Sequence, residues 1–138
     1  MTGTYEHNID AKGRLFLPAK LREELGSAFY LMMLGQDKCL TIYTQAKWDK
    51  FTAKFEELPS IQAKKMRALF ANTVKCEPDS QGRIVVPQKL RDHAELEKES
   101  IILGMHDRAE IWSAQNWNLC EEELSQEEMA EFMEELGF

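Results

Sequence analysis

Short apolar runs alternate with polar clusters through the first 48 residues of the chain. Three runs of five or six residues are rich in strand-forming side chains and too short for helices: "RLFLP", "FYLMML" and "CLTIY". Pro18 closes the first run and suits the first turn of a short helix, in which Leu21 and Leu25 lie one turn apart. Because a short segment precedes the first run, the pattern predicts a strand, a turn, a second strand, a short helix and a hairpin.

Helical periodicity marks the middle and the end of the chain. The segment after the first unit carries apolar residues at helical spacing, and a further helical stretch is predicted over residues 61–71. Near the C-terminus, Ser125 and Glu128 have the spacing of a capping box and precede an amphipathic stripe. Such apolar side chains are more often core or subunit interface than ligand pocket. The two sets are Trp48, Phe51, Phe55 and Leu58, and Met129, Phe132, Met133 and Leu136.

The chain repeats itself at an offset of 69 residues without a gap. Residues 10–48 and 79–117 share eleven identities, where average residue usage gives about two or three by chance. Two copies are too few, and the period too long, for a solenoid, so we expect an internal pair in which each copy completes the other's core. The predicted units are repeat 1 (residues 3–48), a helical connector (49–73), repeat 2 (74–117) and an acidic C-terminal helix (118–138).

The net charge of -7 is concentrated in the C-terminal segment. Residues 118–138 hold eight glutamates and no base, whereas residues 1–117 hold seventeen bases against sixteen acids. The acidity therefore does not exclude nucleic acid as a partner of the repeats. The sequence has neither an apolar run of membrane-spanning length nor a signal-peptide pattern, so we expect a cytoplasmic protein with no membrane partner.

The reactive side chains form no recognisable catalytic or metal-binding motif. The three cysteines and three histidines are widely spaced, without a CxxC pair or a nucleophile motif. A hydrolase that uses Asp10 or Asp79 is disfavoured, because each turn offers a single carboxylate beside an arginine that keeps it ionised. We therefore predict no enzyme activity, no cofactor, no metal and no small-molecule substrate.

Two similar turns, "DAKGR" at residues 10–14 and "DSQGR" at residues 79–83, hold the candidate site. The glycine of each turn suits a positive φ, and the aspartate can accept hydrogen bonds from the turn backbone. An arginine that leaves such a turn offers a planar fork of donors to phosphate oxygens or to guanine. The rival role is an internal ion pair with the aspartate, and both roles are compatible. The predicted DNA-binding residues are Arg14, Arg83, Lys12 and Gln81, and the predicted turn-orienting residues are Asp10, Gly13, Asp79 and Gly82.

A family resemblance rests on these turns and on their surroundings. The N-terminal segment from Gly3 to Leu15, the run "LPAKLREEL", the segment "KCEPDSQGRIVVPQKLRDHAELEKE" and the run "EIW" closely resemble the bacterial MraZ family of transcriptional regulators. The paired D-x-x-x-R motifs are the specific mark, and the resemblance extends to about Trp117. One departure is Leu34, which precedes Gly35 where relatives often have a basic residue; Lys38 is the nearest candidate to replace that charge.

The resemblance implies an α+β double-split β-barrel of the AbrB and SpoVT type, with two repeats in one chain. It also implies a cytoplasmic, nucleoid-associated regulator that assembles into homo-oligomeric rings. Its partner would be double-stranded DNA at the promoter of the division and cell wall gene cluster, where it would read short G-rich direct repeats. Carried over to this chain, the D-x-x-x-R arginines are Arg14 and Arg83. We expect the first turn to bind DNA more strongly, because Lys12 accompanies Arg14.

A second interpretation assigns the chain to protein interaction rather than to DNA alone. In an antitoxin-type protein, the barrel would bind its own operator and the acidic helix, residues 126–136, would mask a basic partner protein. Many small double-split barrel proteins work in this way, so the fold alone does not decide between the two functions.

Overall fold

The computed structural model describes residues 1–35 and 37–138 of the chain. Within this part there are eight β-strands, six α-helices and two short 3-10 helices, at Lys54–Glu57 and Ser60–Gln62. The strands are β1 (Thr4–Asn8), β2 (Arg14–Phe16), β3 (Phe29–Met32), β4 (Leu40–Thr44), β5 (Val74–Cys76), β6 (Arg83–Val85), β7 (Glu99–Met105) and β8 (Arg108–Ser113). The α-helices are α1 (Ala19–Leu25), α2 (Gln45–Ala53), α3 (Ala63–Ala71), α4 (Gln88–His93), α5 (Ala114–Glu123) and α6 (Gln126–Glu135).

The strands form one large antiparallel sheet and one small ribbon. The sheet has six strands in the order β1-β7-β8-β4-β3-β5, and β2 pairs with β6 in the two-stranded ribbon. β1, β3 and β4 of repeat 1 each pair with a strand of repeat 2, namely β7, β5 and β8. The α+β class is confirmed, and the sheet is built jointly by the two repeats.

The main core lies between the ribbon, the sheet and the short helices α1 and α4. Leu15 of β2 and Ile84 of β6 face each other in the register of the ribbon, and both are buried. Leu21 of α1 and Leu90 of α4 are buried in the same cluster. The apolar runs that predicted strands therefore supply the core, and each repeat contributes matching side chains to it.

The connector between the repeats is helical, but its helices are shorter than predicted. α2 ends at Ala53 and continues as a 3-10 helix to Glu57. Leu58 then adopts an extended conformation with φ -77° and ψ 141°, because a residue before proline is disfavoured in the helical region. The stretch predicted over residues 61–71 begins with a 3-10 turn and becomes α-helical at Ala63.

The C-terminal segment forms two helices, α5 and α6. The predicted cap of α6 is confirmed, since the hydroxyl of Ser125 accepts a hydrogen bond from the backbone N–H of Glu128 at 3.1 Å. Every residue of α6 is exposed, including the apolar stripe that begins at Met129. Among the described helices, none is long and apolar enough to cross a membrane.

Candidate nucleic-acid interface

The β2–β6 ribbon carries the two candidate arginines on one face. Leu15 and Ile84 point into the core, so alternation along each strand places their neighbours on the opposite face. Arg14 lies opposite Val85, and Phe16 lies opposite Arg83. The two arginines therefore occupy a diagonal of the ribbon, with Cα atoms about 7 to 8 Å apart. We call the face formed by Arg14, Phe16, Arg83 and Val85 the outer ribbon face.

The two D-x-x-x-R turns have the same hydrogen-bond geometry. In the first turn, Oδ1 of Asp10 accepts hydrogen bonds from the backbone N–H groups of Lys12 and Arg14, each at 2.9 Å. In the second turn, Oδ1 of Asp79 accepts the equivalent bonds from Gln81 and Arg83, also at 2.9 Å. Each aspartate side chain thus accepts hydrogen bonds from two backbone N–H groups of its own turn, as aspartate commonly does in tight turns.

Each aspartate also holds its arginine by an ion pair. Nε of Arg14 donates to Oδ2 of Asp10 at 2.6 Å, and Nε of Arg83 donates to Oδ2 of Asp79 at 2.9 Å. The arginine side chains remain 34% and 29% exposed, respectively. Among the described residues, the terminal Nη groups of both arginines form no hydrogen bond with the protein. The ion pair therefore orients each guanidinium and leaves its two outer nitrogens for another partner.

The same contacts keep both turn aspartates ionised. The backbone N–H of Arg14 is the largest influence that lowers the pKa of Asp10, and its guanidinium lowers that pKa further. The backbone N–H of Arg83 and then its guanidinium lower the pKa of Asp79 in the same way. Both carboxylates are consequently ionised and accept their hydrogen bonds at neutral pH.

Each turn rests on an arginine from the opposite repeat. Gly13 has φ +81°, and a Cβ built there would lie 3.0 Å from Cζ of Arg91. Gly82 has φ +78°, and its Cβ would lie 2.8 Å from Cζ of Arg22. Glycine is required at both positions, because the backbone is left-handed and the guanidinium occupies the space that a side chain would need. These contacts cross between the repeats, because Arg91 belongs to α4 of repeat 2 and Arg22 belongs to α1 of repeat 1.

The two turns differ in their charge. The first combines Asp10 with the cations Lys12, Arg14 and Arg91, whereas the second combines Asp79 with only Arg83 and Arg22, since Gln81 stands in place of a lysine. The first turn is thus the more cationic of the two.

Comparison with known proteins identifies the family of this chain. A family model described as "MraZ protein, putative antitoxin-like" matches residues 1–70 and again residues 69–136. The chain belongs to the MraZ family. The protein named transcriptional regulator MraZ of Caldicellulosiruptor saccharolyticus is 46% identical over 99% of both chains. Proteins of the same name are 44% identical in a Thermoanaerobacter species, over 99% of both chains, and 46% identical in Heliobacterium modesticaldum, over 94% of this chain and 93% of the relative.

The MraZ resemblance identifies the two D-x-x-x-R turns, but it does not identify all the residues that surround them. Sequence reasoning missed Phe16 and Val85 on the outer ribbon face, although the alternation in "RLF" and "RIV" could have indicated them. It also missed Arg22 and Arg91, which contact the turns of the opposite repeats, because no local sequence pattern indicates such a contact. Lys38, the candidate to replace the basic residue absent at Leu34, forms an ion pair with Glu95 instead.

Outside the turns of this MraZ family member, Cys39 and Cys76 are buried and Cys120 is exposed. No group of three or more histidine, cysteine, aspartate and glutamate side chains within the described residues could hold a metal ion. Burial raises the pKa of Cys39 to about 12, with the charge of Glu110 contributing, and burial alone raises that of Cys76 to about 11. These two buried thiols are therefore protonated and behave as small apolar core residues.

Proposed function

We propose that this protein is a transcriptional regulator that binds double-stranded DNA through the outer ribbon face. The observation that carries the proposal is the pair of arginines, Arg14 and Arg83, each presented by an aspartate-braced turn and each with free Nη groups. The regulator name of its close relatives supports the same function and is not the name of an enzyme class.

A two-stranded ribbon is an element that can enter a DNA groove. The major groove of B-DNA, about 12 Å wide, admits a two-stranded β-ribbon, and arginine pairs with O6 and N7 of guanine through two parallel hydrogen bonds. Because Nε of each arginine is held by its aspartate, the two Nη groups are the donors that remain for a base. Val85 is 56% exposed beside Arg14 and offers an apolar contact to a thymine methyl group.

The architecture that we infer for this function is the double-split β-barrel of the AbrB and SpoVT type. Its support is the interleaved topology, in which the β2–β6 ribbon and three pairs of the large sheet join strands of different repeats. In this division of the chain, repeat 1 (3–48) and repeat 2 (74–117) form the barrel, while the connector (49–73) and the acidic segment (118–138) lie outside it.

Assembly compensates for the weak charge of a single copy. Residues 1–117 are nearly neutral, and nonspecific affinity for DNA grows with the number of phosphates that a protein neutralises. A ring of subunits brings several turn pairs to one duplex at high effective concentration. Subunits related by rotation in one sense read DNA in one direction, which favours direct repeats over palindromes.

The target that we propose follows from the family resemblance. It is the promoter of the division and cell wall gene cluster, with short G-rich direct repeats as the binding sites and the nucleoid in the cytoplasm as the location. The guanine preference agrees with the donors of Arg14 and Arg83.

The test of this function compares three variants on the protein's own upstream DNA. Arg14→Ala should lose about 1 to 3 kcal/mol of discrimination between G-repeat and scrambled DNA, because it removes a bidentate contact. Arg14→Lys, the matched control, keeps the charge but not the fork, so it should also lose discrimination while retaining more general affinity. Lys12→Ala should weaken binding to all sequences alike and reduce the salt slope by about 1.

Gel shifts across a salt series measure these effects, and circular dichroism checks that each variant is folded. A folded, assembled Arg14→Ala variant that still distinguishes G-repeat DNA would show that the turn has only a structural role.

The spacing of the repeats gives an independent test of the directional reading. DNA with altered repeat spacing but the same base composition should bind much more weakly, because adjacent turn pairs no longer meet adjacent sites. Unchanged affinity on such DNA would refute the proposed reading by adjacent subunits.

A further inference from the structure

The exposed apolar side chains are concentrated in two segments. Of the twelve large apolar residues that are exposed, all except Val85 and Met105 lie in the connector or in the C-terminal segment. Isolated exposed apolar residues are normal on a protein surface, whereas a contiguous set marks an interaction surface. The ten residues are Leu58, Ile61, Phe70, Leu119, Leu124, Met129, Phe132, Met133, Leu136 and Phe138.

The helices that follow the two repeats differ in how far their apolar side chains are buried. In the connector, α3 folds back on α2, and the ring of Phe70 packs against Trp48 and Phe55 at centroid distances of 5.8 and 5.5 Å. A further contact joins Phe51 and Phe55 at 5.1 Å. Trp48 and Phe51 of α2, and Phe55 of the following 3-10 helix, are therefore partly buried within the chain.

The corresponding face after repeat 2 is more open: Cys120 and Leu124 are exposed, whereas Trp117 packs against Trp112 at a centroid distance of 5.8 Å. At the repeat offset, Trp48, Phe51 and Phe55 correspond to Trp117, Cys120 and Leu124. These three line a cavity together with the carboxylate-bearing residues Glu121, Glu123 and Glu128. An adjoining cavity is lined by Leu124, Met129 and Phe132, with Glu128, Glu131 and Glu135. We call the two cavities together the acidic groove.

The connector has the complementary character. Its second half, residues 61–73, holds three bases, Lys64, Lys65 and Arg67, and no acid, whereas the C-terminal segment holds eight glutamates and no base. Lys64, Lys65 and Arg67 are exposed on α3, and Ile61, just before it, is 83% exposed. We call the surface formed by Ile61, Lys64, Lys65 and Arg67 the basic ridge.

We propose that the acidic groove of one copy binds the basic ridge of a second copy of this chain. Apolar contact with Ile61 covers the groove, and Lys64, Lys65 and Arg67 meet its glutamates. The inference extends the proposed function, because it names the interface that would build the DNA-binding assembly. Every residue of α6 is exposed within its own chain, so its own connector does not cover it.

A contact between two different surfaces of the same chain permits a closed assembly. Groove and ridge are different surfaces of the same chain, so the interface is heterologous and each added copy presents a new free groove or ridge. Such contacts close into rings when the rotation permits. The charged rim also makes the interface sensitive to ionic strength, since exposed ion pairs are screened by salt.

The test measures the mass of the purified full chain by sedimentation and light scattering. The wild-type protein should form an assembly, and Lys64→Glu/Lys65→Glu should reduce it to a smaller species. Glu121→Lys/Glu131→Lys, which reverses the groove, should do the same. An equimolar mixture of the two variants should recover larger species, because an intact groove then meets an intact ridge and the two reversed surfaces also match. The control Lys20→Glu/Lys89→Glu makes the same charge change elsewhere and should keep the wild-type mass.

The exposed thiol of Cys120 gives a second readout, since it lines the groove. Its labelling by a maleimide should be at least several-fold slower in the wild-type assembly than in Lys64→Glu/Lys65→Glu. A monomeric wild-type protein, a wild-type mass for the ridge variant, or a mixture that fails to reassemble would each overturn the proposal. An assembly that behaves as expected but does not bind DNA would overturn the proposed function and leave this interface in place.

Discussion

Alanine substitution at three glycines tests how closely each turn packs against the opposite repeat. Gly13, Gly82 and Gly35 all have a positive φ, of +81°, +78° and +69°, but different surroundings. An alanine at Gly35 would meet no atom within 4 Å, so its cost is that of the left-handed backbone alone, about 1 kcal/mol. Gly35→Ala is therefore the matched control for the two turn glycines.

The two turn variants should be progressively more destabilising. At Gly82 the new Cβ would lie 2.8 Å from Cζ of Arg22, whose Nε donates to the carbonyl of Leu17 at 2.8 Å. Displacing this side chain breaks that hydrogen bond and adds about 1 kcal/mol, for a total of about 2 kcal/mol. At Gly13 the Cβ would lie 2.8 Å from the backbone oxygen of Val86, which is buried and cannot move freely. Overpacking against a fixed group brings the total to about 3 kcal/mol or more.

Urea unfolding, followed by tryptophan fluorescence, measures these differences. The unfolding free energy should fall in the order Gly35→Ala, Gly82→Ala, Gly13→Ala, and the spread of about 2 kcal/mol corresponds to about 8 °C in melting temperature for a chain of this size. Each variant is compared at the same protomer concentration, because assembly adds to the apparent stability. Equal destabilisation by Gly13→Ala and Gly35→Ala would refute the close packing between the repeats at the turns.

Two further predictions concern ionisable groups. Because the folded protein lowers the pKa of Asp10 and Asp79, their contribution to stability is present above the ordinary aspartate pKa of 3.8 and is lost as the pH falls below it. Acid unfolding of Asp10→Asn/Asp79→Asn should accordingly depend less on pH than that of the wild type. In the folded Lys64→Glu/Lys65→Glu variant, whose groove should be open, Cys39 and Cys76 should resist a thiol reagent at pH 8, whereas Cys120 should react.

Two results would contradict the predictions for acid unfolding and for thiol reactivity. A double aspartate variant with the same acid transition as the wild type would show that the two carboxylates do not stabilise the turns. Rapid reaction of all three thiols in the native protein, at the rate seen in urea, would contradict the burial of Cys39 and Cys76 in the core.

Much of the local structure could be predicted from the sequence. The apolar runs of repeat 1 predicted β2, β3 and β4, and the capping-box spacing at Ser125 predicted the start of α6. The D-x-x-x-R spacing likewise predicted turns with an aspartate acceptor and a glycine of positive φ. The helical spacing that starts at Trp48 extends to Leu58, whereas α2 ends at Ala53 and the following 3-10 helix ends at Glu57. Pro59 disfavours a helical conformation at Leu58.

The sequence by itself determined the local conformations, since backbone preference, turn chemistry and the period of apolar residues act over a few positions. Only the tertiary structure decided which strands pair, because two similar repeats offer similar partners within and between copies, and long-range burial selects among them. That selection places Phe16 beside Arg83, and Val85 beside Arg14, on the outer ribbon face. It also brings Arg22 and Arg91 under the turns of the opposite repeats, a contact between residues about sixty to eighty positions apart that no local pattern encodes.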